Sequence, residues 1–202
     1  ASSASLSVPV RQSIQAADLT ARVVTGATFD AVEAIVDAAQ AAGCRPILLK
    51  GGATALRYYP EPHQRTMGDI DVLVSPDELR ALEAELRRLG FAQTSDIPES
   101  RYALHHHSKP FFHPGRSVWV EVHSRPFPPR SPVWQDPRYS FDAMSSHLAP
   151  LVVGDCSVDV LDHHWQLIYV AIRWAEMLHA ERGAFPLLDA ALLIRLHGHE
   201  LD

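Results

Sequence analysis

Gly68-Asp69-Ile70-Asp71-Val72-Leu73-Val74 is the stretch that organises the chain. Two carboxylates stand two residues apart in an otherwise apolar run. In a β-strand, side chains alternate between faces with a period of two. Asp69, Asp71 and Leu73 then share one face, and Ile70, Val72 and Val74 form the opposite, core face. Two acids that close repel unless one takes up a proton or a cation sits between them. A hard divalent ion with oxygen ligands is the natural guest. Taken alone, Asp-x-Asp is also compatible with plain turn and edge residues, so the flanking sequence decides.

Upstream, Val32, Ile35, Val36 and Ala39 recur at i, i+3, i+4 and i+7, the pattern of one buried helix face, and Gly43 supplies a C-cap. Residues 1–27 are weakly patterned, with a helix possible over Val10 to Val24. Pro46-Ile47-Leu48-Leu49 reads as a short buried strand. Lys50-Gly51-Gly52 follows, then a short helix from Ala53 to Tyr59 stopped by Pro60, then a polar connection to Met67. Glycines let backbone approach a ligand closely, and a helix N-terminus offers free N–H groups to a phosphate; a simple tight turn is the plainer alternative.

Downstream, Ser75-Pro76-Asp77-Glu78 is a capping box. It starts a helix whose stripe is Leu79, Leu82, Leu86 and Leu89, closed by Gly90. Phe91 to Thr94 reads as a strand, and Tyr102 to Phe112 as a histidine-rich, strand-like stretch. Past the Pro114-Gly115 turn, Val118 to His123 alternates cleanly. Val118, Val120 and Val122 face one way; Trp119, Glu121 and His123 face the other. Glu121 is the third acid. If its strand lies beside that of Asp69 and Asp71, three carboxylates converge beside the glycine turn, a site for one or two Mg²⁺ ions holding a triphosphate.

Five prolines between Pro126 and Pro137 mark a linker or extended wrap. Leu151 to Val160 holds a short hairpin about Gly154-Asp155. Asp162 caps a long helix with Trp165, Ile168, Tyr169, Ile172 and Ala175 on one side, its His163-His164 reading as exposed cap residues. Pro186 opens a last helix through Leu196. It is apolar on nearly all sides and must be buried, and its closeness to Asp202 implies a helical region cut short. The organisation expected is an N-terminal segment (1–27), an α+β core (28–125), a proline-rich connection (126–160) and a C-terminal helical region (161–202).

The bulk numbers narrow the class. The chain has 202 residues, 47% hydrophobic and 21% charged, an ordinary globular composition. A formal net charge of −6 argues against a general nucleic-acid binder. Cys44 and Cys156 read as reduced, buried thiols rather than a disulfide framework. No apolar run approaches the roughly 20 residues that span a bilayer, and the small, polar start lacks a signal-peptide order; a cytoplasmic protein without a membrane partner is expected.

Three stretches together carry a resemblance: Leu48-Leu49-Lys50-Gly51-Gly52, Arg65-Thr66-Met67-Gly68-Asp69-Ile70-Asp71-Val72-Leu73-Val74, and Val120-Glu121-Val122-His123. Over roughly residues 28–125 the chain resembles the nucleotidyltransferase superfamily typified by DNA polymerase β. Within it the chain is most similar to a largely uncharacterised bacterial branch, some members of which accompany natural-product clusters, including lasso-peptide ones. The resemblance implies a polymerase β-like core, a short mixed sheet flanked by helices, with a helical region after it. It implies that Asp69 and Asp71 ligate Mg²⁺, that Glu121 helps bind the catalytic metal and activate the acceptor hydroxyl, and that Gly51 and Gly52 cradle phosphate. The implied activity is transfer of a nucleoside monophosphate from an NTP such as ATP to a hydroxyl or phosphate of an acceptor, with release of pyrophosphate. The acceptor is left open: a small molecule, a peptide product, a tRNA or a protein.

The sequence departs from the superfamily pattern in two ways. Gly52 and Ala53 stand where serine usually follows the first glycine, and the spacer to Asp69 is long. Lys50 and Arg65 are the nearest cations that can compensate on phosphate, with solvated surface charge as the plain alternative. A catalytically inactive member of the fold that binds a nucleotide or a partner protein is the rival reading, and a histidine-dependent metallohydrolase a distant third. His105-His106-His107, with His113 and His123, invites zinc, but neighbours in a strand point to opposite faces. They read as polar strand residues, with His105 and His107 able to reach substrate as donors. Trp119 fits core packing better than base stacking.

Overall fold

The computed structural model describes residues 7–102, 104–177 and 184–201. In chain order the elements are α1 (Val8–Ala41), β1 (Ile47–Leu48), α2 (Lys50–Tyr58), β2 (Ile70–Leu73), α3 (Leu79–Arg88), β3 (Ala92–Gln93), α4 (Glu99–Tyr102), β4 (Phe111–His113), β5 (Val118–His123), α5 (Phe141–Met144), β6 (Leu148–Val153), β7 (Cys156–Leu161), α6 (His163–Met177) and α7 (Ala184–His197). The strands form one mixed sheet in the order β3-β4-β5-β2-β1-β7-β6. β2 runs parallel to β5 and β1 parallel to β7, while β1 and β2 are antiparallel. The fold is α+β.

The period-two reading of β2 and β5 accounts for both cores. Ile70, Val72, Val120 and Val122 meet Val32, Ile35, Val36 and Ala39 of α1 and Leu82 and Leu86 of α3 in one continuous cluster. Each fully buried aliphatic side chain there contributes roughly 2 kcal/mol. On the other face Leu73 joins Ile47, Leu49, Phe127, Met144, Leu161 and Tyr169. Asp71 and Glu121 open onto this second face, between the sheet and the C-terminal helices.

Local signals hold in part. Ser75 N–H donates to Glu78 Oε2 at 3.1 Å, and Ser75 Oγ accepts from the Asp77 N–H at 3.2 Å, so the capping box closes one residue short of its usual partner. Leu89, at the end of the α3 stripe, is exposed. Asp162 Oδ1 accepts from the Trp165 N–H at 2.9 Å and caps α6. On α6 Tyr169 of the expected stripe is buried, with Trp165 and Ile172 half-buried against its cluster; Gln166 and Val170 are buried beside it, and Ile168 is exposed.

Several expectations need correction. α1 begins at Val8 and runs unbroken past residue 27. The hairpin β6–β7, inside the stretch read as a connection, is built into the sheet because β7 pairs with β1. The stretch from Tyr102 to Phe112 is not a strand throughout: α4 ends at Tyr102, residues 104–106 turn, and His107 makes a single bridge to His123 before β4. α7 buries Pro186, Asp189 and Leu193 while Leu187, Leu188, Ile194 and Leu196 stay exposed; all-round hydrophobicity did not make it all-round buried. His163 is no free cap residue. Its ring stacks on His197 at 3.7 Å and lies 3.0–3.1 Å from Arg57 Nη2 and Tyr58 Oη. Trp119 is neither core nor near the acids' cleft; it packs on Phe112 at the sheet surface. Cys44 is buried and Cys156 half-buried, both as free thiols.

Candidate active site

The register of β2 against β5 pairs Asp71 with Glu121 directly. In a parallel pair such partners lie side by side on one face, so distant stretches of sequence bring these two acids together. Asp69 lies one residue ahead of β2, at its mouth, and lines the adjoining cleft. His123, two residues beyond Glu121 on the same face, is fully buried and donates from Nε2 to Asp71 Oδ1 at 2.7 Å; the same nitrogen is 3.5 Å from Glu121 Oε2. Ligating atoms of Asp71, Glu121 and His123 all fall within 4.8 Å of one another.

Lys50 is the cation nearest the acids. It is the first residue of α2 and holds a left-handed backbone, φ 46°, a conformation that costs a non-glycine residue about 1 kcal/mol. Its Nζ donates to Asp71 Oδ1 and lies 3.6 Å from Glu121 Oε2. It is therefore not a solvated surface charge but the internal counter-ion of the acid pair. Burial opposes its charge, yet Asp71, with Tyr169 and Glu121 adding, outweighs burial and holds the ammonium above its ordinary range. Burial likewise opposes ionisation of Asp71, but Lys50 and His123 win and keep that carboxyl well below the usual range. Glu121 is lowered in the same sense, burial being outweighed by His123 and Lys50. Asp69 goes the other way: burial first, then the charge on Asp71, pushes it up to about 6. One face thus holds two firmly ionised acids and one poised near neutrality.

The two glycines are closely packed. A Cβ on Gly51 would come within 2.6 Å of Met67 Cγ, and one on Gly52 within 2.8 Å of Leu48 Cδ1. Both are buried in the first turn of α2, so their lack of a side chain brings α2 close to β1 and to the segment that leads into Asp69. Arg65 is committed elsewhere. Its guanidinium grips the buried carboxylate of Asp189 on α7, Nε–Oδ1 2.9 Å and Nη2–Oδ2 3.1 Å, and Tyr59 Oη donates to the same carboxylate at 2.7 Å. This cluster fastens the C-terminal helices to the strand-bearing core.

A cleft of about 420 Å³ adjoins the acid pair, its walls including Lys50, Arg65, Asp69, Tyr169, Arg173 and Phe185. Tyr169 and Arg173 were not among the site residues read from sequence. They stand at i and i+4 on α6, so a helical face shared with a strand site was the available signal, and nothing local tied α6 to β2. Among the described residues the buried Tyr169 hydroxyl has no hydrogen-bond partner, and burial pushes it up to about 12. Arg173 Nη1 pairs with Glu176 at 2.8 Å. Burial opposes its charge, but Tyr169, Glu176 and Asp71 together raise it above its usual value.

The histidine run is folded, not splayed. The turn places the rings of His105, His106 and His107 with centroids 4.2–4.7 Å apart, which overturns the opposite-faces expectation. Burial holds His105 and His106 below the ordinary imidazole range and brings His107 down to about 4. His107 Nε2 is 3.8 Å from Glu121 Oε1. His113 lies apart, against Phe91.

Among the described residues, no helix is long and apolar enough to cross a membrane. No curated protein matches the chain in sequence. Among solved structures, the solution structure of the antibiotic-resistance factor ANT(2'')-Ia is similar at a TM-score of 0.60 and 14% identity, covering 87% of each chain. An antigenic nucleotidyltransferase-like protein from Paracoccidioides brasiliensis is similar at a TM-score of 0.57 and 17% identity, covering 84% of this chain and 76% of that one. At such identities the likeness speaks for the fold alone, a nucleotidyltransferase fold. The family model described as an uncharacterised nucleotidyltransferase matches residues 1–202, and with it the paired acids, the lysine-led helix and the cleft beside them find their context: this chain belongs to that nucleotidyltransferase family.

Proposed function

We propose that the chain is a Mg²⁺-dependent enzyme that moves a nucleoside monophosphate from an NTP onto an acceptor oxygen and releases pyrophosphate. The observation that carries this reading is the side-by-side placement of Asp71 and Glu121 against Lys50, which with Asp69 and Arg173 lines the adjoining cleft. The donor set fits a hard divalent ion: two ionised carboxylates with ligating atoms within 4.8 Å, and a third acid, Asp69, at the strand mouth. Asp69, Asp71 and Glu121 are the residues that would hold one or two such ions, which when bound neutralise phosphate charge and ease departure of pyrophosphate.

The chain's own groups do the rest. Glu121, kept ionised, takes the proton of the acceptor hydroxyl as that oxygen bonds to the α-phosphorus. The bond from the α-phosphorus to the bridging oxygen breaks, and pyrophosphate leaves with its electron pair. Lys50 and Arg173 line the cleft as cations for the phosphate tail, and the partnerless Tyr169 hydroxyl gives it a donor. Buried polar groups without partners are uncommon and often await a ligand. A cleft of this size suits a small ligand, so a small-molecule acceptor is the first to test, ahead of a peptide product, a tRNA or a protein; the acidic net charge weighs against nucleic acid. The need for NTP and the free thiols favour a cytoplasmic setting.

A second reading has its own observation: Lys50 already neutralises the acid pair, as in a member that binds nucleotide without turning it over. Thermal shift separates the two. Wild type with Mg²⁺ and NTP should gain stability that disappears in the Asp69→Ala/Asp71→Ala variant, and pyrophosphate should be released when each NTP is offered with cell extract. Nucleotide binding that ignores metal, with no pyrophosphate, selects the second reading.

A further inference from the structure

We propose that His105, His106 and His107 form a second metal site, one for a borderline transition ion of the Zn²⁺ type and separate from the carboxylate pair. The inference does not depend on the nucleotidyl-transfer reading. Consecutive residues of an extended chain splay apart, yet this turn brings one ring nitrogen from each histidine within 4.8 Å of the others. Tetrahedral zinc with nitrogen at about 2.0–2.1 Å needs nitrogens roughly 3.4 Å apart, a distance small ring rotations reach.

Three further observations point to a ligand. Among the described residues, buried Nδ1 of His105 and Nδ1 of His106 have no hydrogen-bond partner, and His106 is only 7% exposed. Packing alone would be better served by apolar side chains, since buried polar atoms left unpaired are costly. His107 Nδ1 lies 2.6 Å from the Ser108 carbonyl oxygen, which accepts from it, so the Nε2 lone pair is left to coordinate; a backbone carbonyl behind a histidine ligand is the usual orienting partner. Finally, His105 and His107 line a cleft of about 310 Å³ alongside Tyr102 and Ser108, which gives an ion a way in and leaves a coordination position open. An all-nitrogen set selects Zn²⁺, Co²⁺ or Ni²⁺ over Mg²⁺. Glu121 Oε1, 3.8 Å from His107 Nε2, would couple this ion to the acid pair.

The test uses the full chain without a polyhistidine tag and Co²⁺ as the probe. The expected result is a saturable visible absorption of tetrahedral type at one equivalent, displaced by Zn²⁺ and untouched by excess Mg²⁺. His106→Ala and the less buried His105→Ala should each weaken binding at least about tenfold, with circular dichroism confirming that each is folded, and Asp71→Asn should retain the band. Absence of a one-equivalent band overturns the proposal. So does a band that survives both histidine variants, or one lost in Asp71→Asn, which would put the ion among the carboxylates.

Discussion

The acid-bearing sheet floor beside the cleft and the cleft's helical wall are built on different principles. On the floor Lys50 answers Asp71 and Glu121, and His123 hydrogen-bonds to Asp71. Strand register fixes these groups, and two hydrophobic clusters back the sheet. The wall is tied differently. Arg65 and Tyr59 hold Asp189 of α7, Arg173 pairs with its neighbour Glu176, and Tyr169 keeps a hydroxyl without a partner. A floor rigid enough to hold like charges together suits chemistry; a wall with spare polar capacity suits recognition.

The sharpest way to break this contrast is to disable the floor. Asp71→Asn and Glu121→Gln should each lower pyrophosphate release by about a thousandfold or more, the scale of losing a group that acts in the transition state. Circular dichroism should remain native. A variant that loses only nucleotide affinity would erase the division of labour.

Breaking the wall's main tie should act on stability instead. Asp189→Ala leaves Arg65 buried without its partner, a loss of about 3–5 kcal/mol, read as a lower midpoint in urea unfolding. Arg173→Ala is milder still. It should raise KM for NTP roughly tenfold with kcat nearly unchanged, the mark of uniform binding; an equal fall in kcat would move Arg173 from wall to floor.

Asp69 gives the contrast a pH dependence. Burial and the charge on Asp71 push it up to about 6 from the ordinary 3.8, so the folded state holds the proton more tightly. The charged form costs stability fully above pH 6, and the cost is gone below about pH 4. Without metal, Asp69→Asn should therefore raise Tm by a few degrees at pH 7.5, with the gain shrinking as pH falls through 6 and absent near pH 4. Smallest of all, Trp119→Ala should cost under about 1 kcal/mol, because Trp119 is 39% exposed and touches neither floor nor wall.

Elements with a strong internal period were legible. The alternation in Val118 to His123 and the i, i+3, i+4 spacing in α1 and α3 mark their buried faces because one side of each meets the sheet or its covering helices. The histidine run was misread because alternation assumes an extended backbone, whereas the turn after α4 folds three neighbours onto one spot. α7 was misjudged for another reason: hydrophobicity says a side chain can be buried, not that a partner surface exists to bury it.

From the sequence alone came the acid strand, the second alternating strand with Glu121, the lysine-led helix start and the family they belong to. The elements follow from local periodicity and short-range backbone preference, and the family from the resemblance that their motifs carry. Only the tertiary structure decided that Asp71 faces Glu121 rather than a residue one step away, that Lys50 lies between them, that Arg65 serves Asp189, and that Tyr169 and Arg173 close the cleft. Each of those depends on strand register or on packing between segments tens of residues apart, where a shift of one position would turn the side chain to the other face.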